Sequence, residues 1–178
     1  AMNNVYKSPL WRNGNKWTAK AAMPTVRHDL AAGAIGWKLY AVGGHDGTVY
    51  LNANEEYDPV ANTWTAKAAM PRARAFLSAG VAGGRLYAVG GWNSGYLNNN
   101  EEYDPVFNAW AAKTVMPTPR SNLSAGVIGG RLYAVGGTDG SNLNANEEYV
   151  PESDTWAAKA VMPSARANLS AAVIGGVL

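Results

Sequence analysis

A motif that returns every 46 or 47 residues constrains this chain more than any other feature. Tryptophans at 17, 64, 110 and 156 are spaced by 47, 46 and 46 positions, and Met-Pro pairs beginning at 23, 70, 116 and 162 keep the same interval. Leu-Tyr-Ala-Val-Gly-Gly occupies 39–44, 86–91 and 132–137, and Asn-Glu-Glu-Tyr occupies 54–57, 100–103 and 146–149. Between 64–91 and 110–137, 20 of 28 aligned positions are identical, more than packing demands, which points to recent duplication or engineering. A unit this short cannot bury both its faces alone, so its neighbours must stack on it.

Four short strands are expected in each unit. In the second they run from about Arg74 to Ala82, Arg85 to Val89, Asn99 to Tyr103 and Ala109 to Lys113. Leu77, Ala79 and Val81 alternate with Ser78 and Gly80, the period-2 signature of a strand. Turn residues separate the segments at Gly83-Gly84, Asn93-Ser94-Gly95, Asp104-Pro105 and Met116-Pro117. The Ala-rich stretch before Met-Pro has helix propensity but is short, lacks a 3.6-residue apolar period and ends at proline. Radial stacking of such units makes a propeller, whose first strand must be small where blades converge.

Composition narrows the function. Fifteen Lys and Arg against 13 Asp and Glu, evenly spread, leave no basic face of the kind a nucleic-acid binder presents. The absence of Cys excludes disulfides, zinc thiolates and a thiol nucleophile. The uncharged runs from Leu86 to Asn100 and from Ala167 to Leu178 are too polar or too short for a bilayer, so no membrane partner is expected and the chain reads as soluble. Ala1-Met2 reads as a cloning remnant, no charged-then-apolar opening run signals export, and the compartment stays open.

The order of Arg, small-residue strand, Gly-Gly-Arg-Leu-Tyr-Ala-Val-Gly-Gly, loop, Glu-Glu-Tyr-Asp-Pro, Asn-x-Trp and Met-Pro-x-x-Arg resembles the kelch repeat of β-propeller proteins. The resemblance covers essentially the whole chain and implies an all-β propeller of antiparallel four-stranded blades, the Arg-bearing strand innermost and the Trp strand outermost. One domain, 1–178, divides into units at about 1–24 (partial), 25–70, 71–116, 117–162 and 163–178 (partial). Kelch propellers usually hold about six or seven blades, whereas this chain has four Trp signatures and three complete Tyr-Ala-Val-Gly-Gly segments. Val5-Tyr6 and Lys16-Trp17-Thr18 resemble third and fourth strands joined by a longer loop holding Trp11, Asn13 and Gly14, so a permuted, incomplete terminal blade is expected. A four-bladed ring, an open fragment or a half-ring completed by another copy would fit, and exposed edges favour self-association to complete the ring.

Antiparallel order puts the loop entering the first strand and the loop between second and third strands on one mouth. The latter loops vary while the frame does not: His45 to Tyr50, Trp92 to Tyr96 and Thr138 to Asn142. That mouth is the candidate binding surface. Arg27, Arg74, Arg120 and Arg166, with Arg72 and His28, would ring it and suit an acidic peptide or an acidic sugar. A structural reading instead pairs the repeated Arg with Glu56, Glu102 and Glu148. Tyr50, Trp92 and Tyr96 would stack on a glycan or anchor a peptide, or else cap gaps between blades. His45 and His28, each followed by Asp, are the only histidines and a weak pair for metal or acid-base work. Adjacent glutamates on a strand point to opposite faces, so the Glu-Glu pairs do not make a glycosidase dyad. The resemblance does not extend to the copper-dependent kelch oxidases, whose chemistry uses a Cys.

These features point to a non-catalytic module, without a cofactor, that binds a protein, peptide or glycan. The alternatives are a sugar-directed enzyme like the mutarotases among kelch proteins, using rim Arg and His28, and a repeat array with no native ligand.

Overall fold

The computed structural model describes residues 17–176, and among these every element is a strand. Three antiparallel sheets of four strands follow one another along the chain. The first contains β1 (Ala31–Ile35), β2 (Lys38–Val42), β3 (Asn54–Asp58) and β4 (Thr63–Ala66) in that order. The second contains β5 (Ser78–Ala82), β6 (Arg85–Val89), β7 (Asn100–Asp104) and β8 (Ala109–Ala112). The third contains β9 (Ser124–Ile128), β10 (Arg131–Val135), β11 (Asn146–Val150) and β12 (Thr155–Ala158). Each sheet is a meander, and β1 packs beside β5 and β5 beside β9, so the first strand of every blade is innermost.

The core lies between blades. Tyr40, Val42, Met70 and Leu77 meet Leu86 and Tyr103 at one interface, and Tyr87, Val89, Met116 and Leu123 meet Leu132 and Tyr149 at the next. Gly80 lets the inner strands close: a Cβ there would stand 2.3 Å from Leu132 Cδ1. Hydrogen bonds cross the same gaps: Trp110 Nε1 donates to the Ala68 carbonyl at 2.8 Å and Trp156 Nε1 to that of Thr114 at 2.8 Å. Apolar burial thus drives stacking, while these directional bonds set its register.

One expectation is corrected. The first strand of the second unit starts at Ser78, not at Arg74, because Phe76 takes φ of 56° and interrupts the extended chain. The expected all-β arrangement of four-stranded antiparallel blades beside incomplete terminal units is observed: three blades are complete, and the described parts of the terminal units, Trp17-Thr18 and Ala171 to Gly176 among them, form no further strand. Val5-Tyr6, Trp11, Asn13, Gly14, Lys16 and Val177-Leu178 lie outside the described residues.

Candidate functional site

Both loop sets lie on one mouth and are stitched together there. Ala75 N–H donates to the Trp92 carbonyl at 3.1 Å and Trp92 N–H returns the bond at 2.8 Å; His28 with His45 and Ser121 with Thr138 repeat the pattern. The Gly-Gly pair makes this close approach possible. Gly90 and Gly91 have φ of 65° and 109°, and a Cβ on Gly90 would stand 2.7 Å from the Arg120 carbonyl oxygen.

The repeated arginines divide into two groups. Arg27, Arg74 and Arg120 are buried inside the blades, where they pair with Glu55 at 2.9 Å, Glu101 at 2.6 Å and Glu147 at 3.0 Å. Each also donates to a carbonyl of its second strand, at Ala41, Ala88 and Ala134. Burial pushes all three guanidinium groups below their ordinary pKa, and the paired glutamate opposes that shift. These side chains hold the frame together and present no fork to solvent. Arg166 and Arg72 are exposed, the former bonded to Ser164 Oγ.

The expected glutamate partners need correction. Glu56, Glu102 and Glu148 accept from the hydroxyls of Tyr40, Tyr87 and Tyr133 and from lysine and arginine on the neighbouring strands. The Lys159 ammonium and then the Tyr133 hydroxyl, against the opposing effect of burial, draw the Glu148 carboxyl down to about 2.

The aromatic candidates do come together. Tyr50, Trp92 and Tyr96 line an open cleft of about 280 Å³ with Phe76, Ser121, Asn122 and Thr138. Trp92 and Tyr96 meet edge to face with centroids 4.7 Å apart. Their polar atoms, and the hydroxyl of Tyr50, have no hydrogen-bond partner among the described residues. Phe76, Ser121 and Asn122 were not singled out from the sequence, whereas Thr138 opens one of the variable loops. Aligning the units on their arginines would have found Phe76, which stands where the others carry Asp29, Asn122 and Asn168. All four take a left-handed backbone, easily reached by Asp or Asn and strained by about 1–3 kcal/mol in a bulky residue.

His28 and His45 sit at the first unit's side of the mouth, with ring centroids 5.4 Å apart. His28 is exposed, and its Nδ1 lies 2.5 Å from Asp29 Oδ2, while His45 packs edge-on against Tyr50 at 4.9 Å. Among the described residues no group of three or more His, Asp or Glu side chains could hold a metal ion. A second cleft, of about 310 Å³, opens between the second and third blades beside Arg85, Glu102, Lys113 and Glu152. Arg85 is paired with Asp104, and Lys113 with Glu102, so the charges at its wall largely serve the blade.

Residues 4–137 match the family model described as the KLHDC2/KLHL20/DRC7 Kelch-repeats domain, and residues 119–162 match the Kelch motif. Kelch-like protein 4 from Homo sapiens is 43% identical over 49 residues, which is 28% of this chain and 7% of that protein. The solved structure of YjhT superposes with a TM-score of 0.69 at 19% identity, covering 79% of this chain and 52% of that one. The chain therefore spans a small part of the first relative and about half of the second, and the second likeness concerns fold alone.

Proposed function

Because the chain belongs to the kelch-repeat family, whose model matches more than half of its residues, we propose that it is a non-catalytic binding module that takes its partner at the variable-loop mouth. One observation carries this reading. Among the described residues every strand tyrosine and tryptophan has its polar atom bonded, whereas Tyr50, Trp92 and Tyr96 face the cleft with theirs unpartnered. Half-buried aromatics with unspent donors suit a partner that supplies both a flat apolar surface and acceptors. The three inner arginines are already paired with glutamate, which favours uncharged groups over the acidic ligands expected of an arginine ring.

The test is binding to peptide and glycan arrays by the intact chain and by Trp92→Ala combined with Tyr96→Ala. Loss of binding with an unchanged melting temperature supports the mouth, and full retention places the site elsewhere. A sugar-directed enzyme is the second reading, favoured by His28, an exposed imidazole oriented by Asp29 on the same mouth. Anomer exchange followed by NMR decides it, since a rate equal to that in buffer removes it.

A further inference from the structure

We infer that Phe76 is a ligand-contact residue of the mouth cleft, and that the group it receives is the uncharged ring of a sugar residue. This inference rests on the reading of the mouth as a binding surface. The frame requires a left-handed backbone at this place in every unit: φ is 52° at Asp29, 56° at Phe76, 55° at Asn122 and 54° at Asn168. The requirement comes from a chain of bonds around the inner rim. Phe76 N–H donates to the Asp29 carbonyl, Asn122 N–H to that of Phe76 and Asn168 N–H to that of Asn122, each at 2.9 Å. Asp and Asn meet the conformation readily because their short polar side chains tolerate it, whereas a phenylalanine there is strained.

The core does not account for the exception. Phe76 is only half-buried and belongs to neither apolar cluster between the blades. It instead turns one more ring into the cleft that Tyr50, Trp92 and Tyr96 line. A strained residue that serves neither frame nor core is expected where a site needs its side chain.

The cleft's chemistry selects the ligand. Four rings and three uncharged polar residues line it, with no cation or anion among them. A carboxylate would lose its hydration there without gaining a countercharge. A purely apolar side chain would cover the rings but leave the Tyr50, Trp92 and Tyr96 donors buried and unpaired. A sugar ring offers C–H faces to stack and hydroxyl edges to accept those donors.

The experiment compares the intact chain, Phe76→Asn and Trp92→Ala on an array of neutral oligosaccharides and peptides, with thermal melting of each. The expected result is binding to neutral saccharides, weakened about threefold to tenfold by Phe76→Asn, which melts at a higher temperature than the parent. Failure of the intact chain to bind any neutral saccharide overturns the inference, as does undiminished binding by Phe76→Asn or a lowered melting temperature for it. Peptide binding without saccharide binding, abolished by Trp92→Ala, overturns the sugar assignment and leaves the mouth reading standing. Saccharide binding that survives Trp92→Ala overturns both.

Discussion

The strand aromatics and the mouth aromatics are chemically alike and differ in what they have already bonded. Nine tyrosines and tryptophans on the strands bond to Glu56, Asn62, Glu102, Asn108, Glu148, Asp154 and the carbonyls of Ala21, Ala68 and Thr114. The same kinds of side chain at the mouth, Tyr50, Trp92 and Tyr96, have no hydrogen-bond partner among the described residues. The charges follow the same division: Arg74 is spent on Glu101, while Arg72, two residues earlier, is exposed. The lesson is that in a repeat protein the meaning of a residue lies in whether its interactions are closed. Within the three complete blades recurrence marks the closed ones, as with Arg27, Arg74 and Arg120, and divergence marks the open ones.

The largest effect should come from opening a closed pair. Arg74→Ala leaves Glu101 buried without its countercharge and is expected to cost about 3–5 kcal/mol in urea unfolding, whereas Arg72→Ala should stay within about 0.5 kcal/mol. Equal costs would erase the distinction between frame and mouth.

Acid should act on the frame first. The folded-state pKa of Glu148 is depressed from 4.5 to about 2, so its contribution is present above the ordinary carboxylate pKa and fades as pH falls from about 4.5 toward 2. Replacing Lys159 by Met removes the principal cause of that shift and should flatten the fall in melting temperature over this window. An unaltered acid profile would show that the Lys159 contact does not stabilise the blade.

The finest comparison removes one oxygen from each population. Tyr103→Phe deletes a hydroxyl that donates to Asn108 at 2.8 Å and should cost about 1 kcal/mol. Tyr96→Phe deletes one with no partner among the described residues and should leave unfolding unchanged while weakening ligand binding. A stability loss in Tyr96→Phe would mean that the mouth hydroxyl is also part of the frame.

Much of this was legible along the chain. The Met-Pro and Tyr-Ala-Val-Gly-Gly intervals reveal the units, the alternation around Gly80 reveals a strand, and the glycine pairs mark the turns. The mouth was legible too, because antiparallel order alone puts the first-strand and second-to-third-strand loops at one end. The cleft was only half legible. Tyr50, Trp92 and Tyr96 stand out as aromatics in variable loops, but Phe76 hides inside a segment that reads as strand. Its departure from extended geometry depends on bonds to the neighbouring blades.

Sequence by itself determined the blade: its four strands, its small inner strand and its repeated contact surfaces, because a local period and a shared core are properties of order along the chain. Tertiary structure decided which glutamate meets which arginine. Glu55 and Glu56 are adjacent and both buried, yet Glu56 lies opposite Tyr40 and Glu55 opposite Ala41, whose carbonyl shares the Arg27 guanidinium. Adjacent strand residues face opposite ways, so which glutamate meets the arginine is set by the face of its own blade that the segment leading into the first strand folds across, and that is fixed only when the chain closes over the finished sheet.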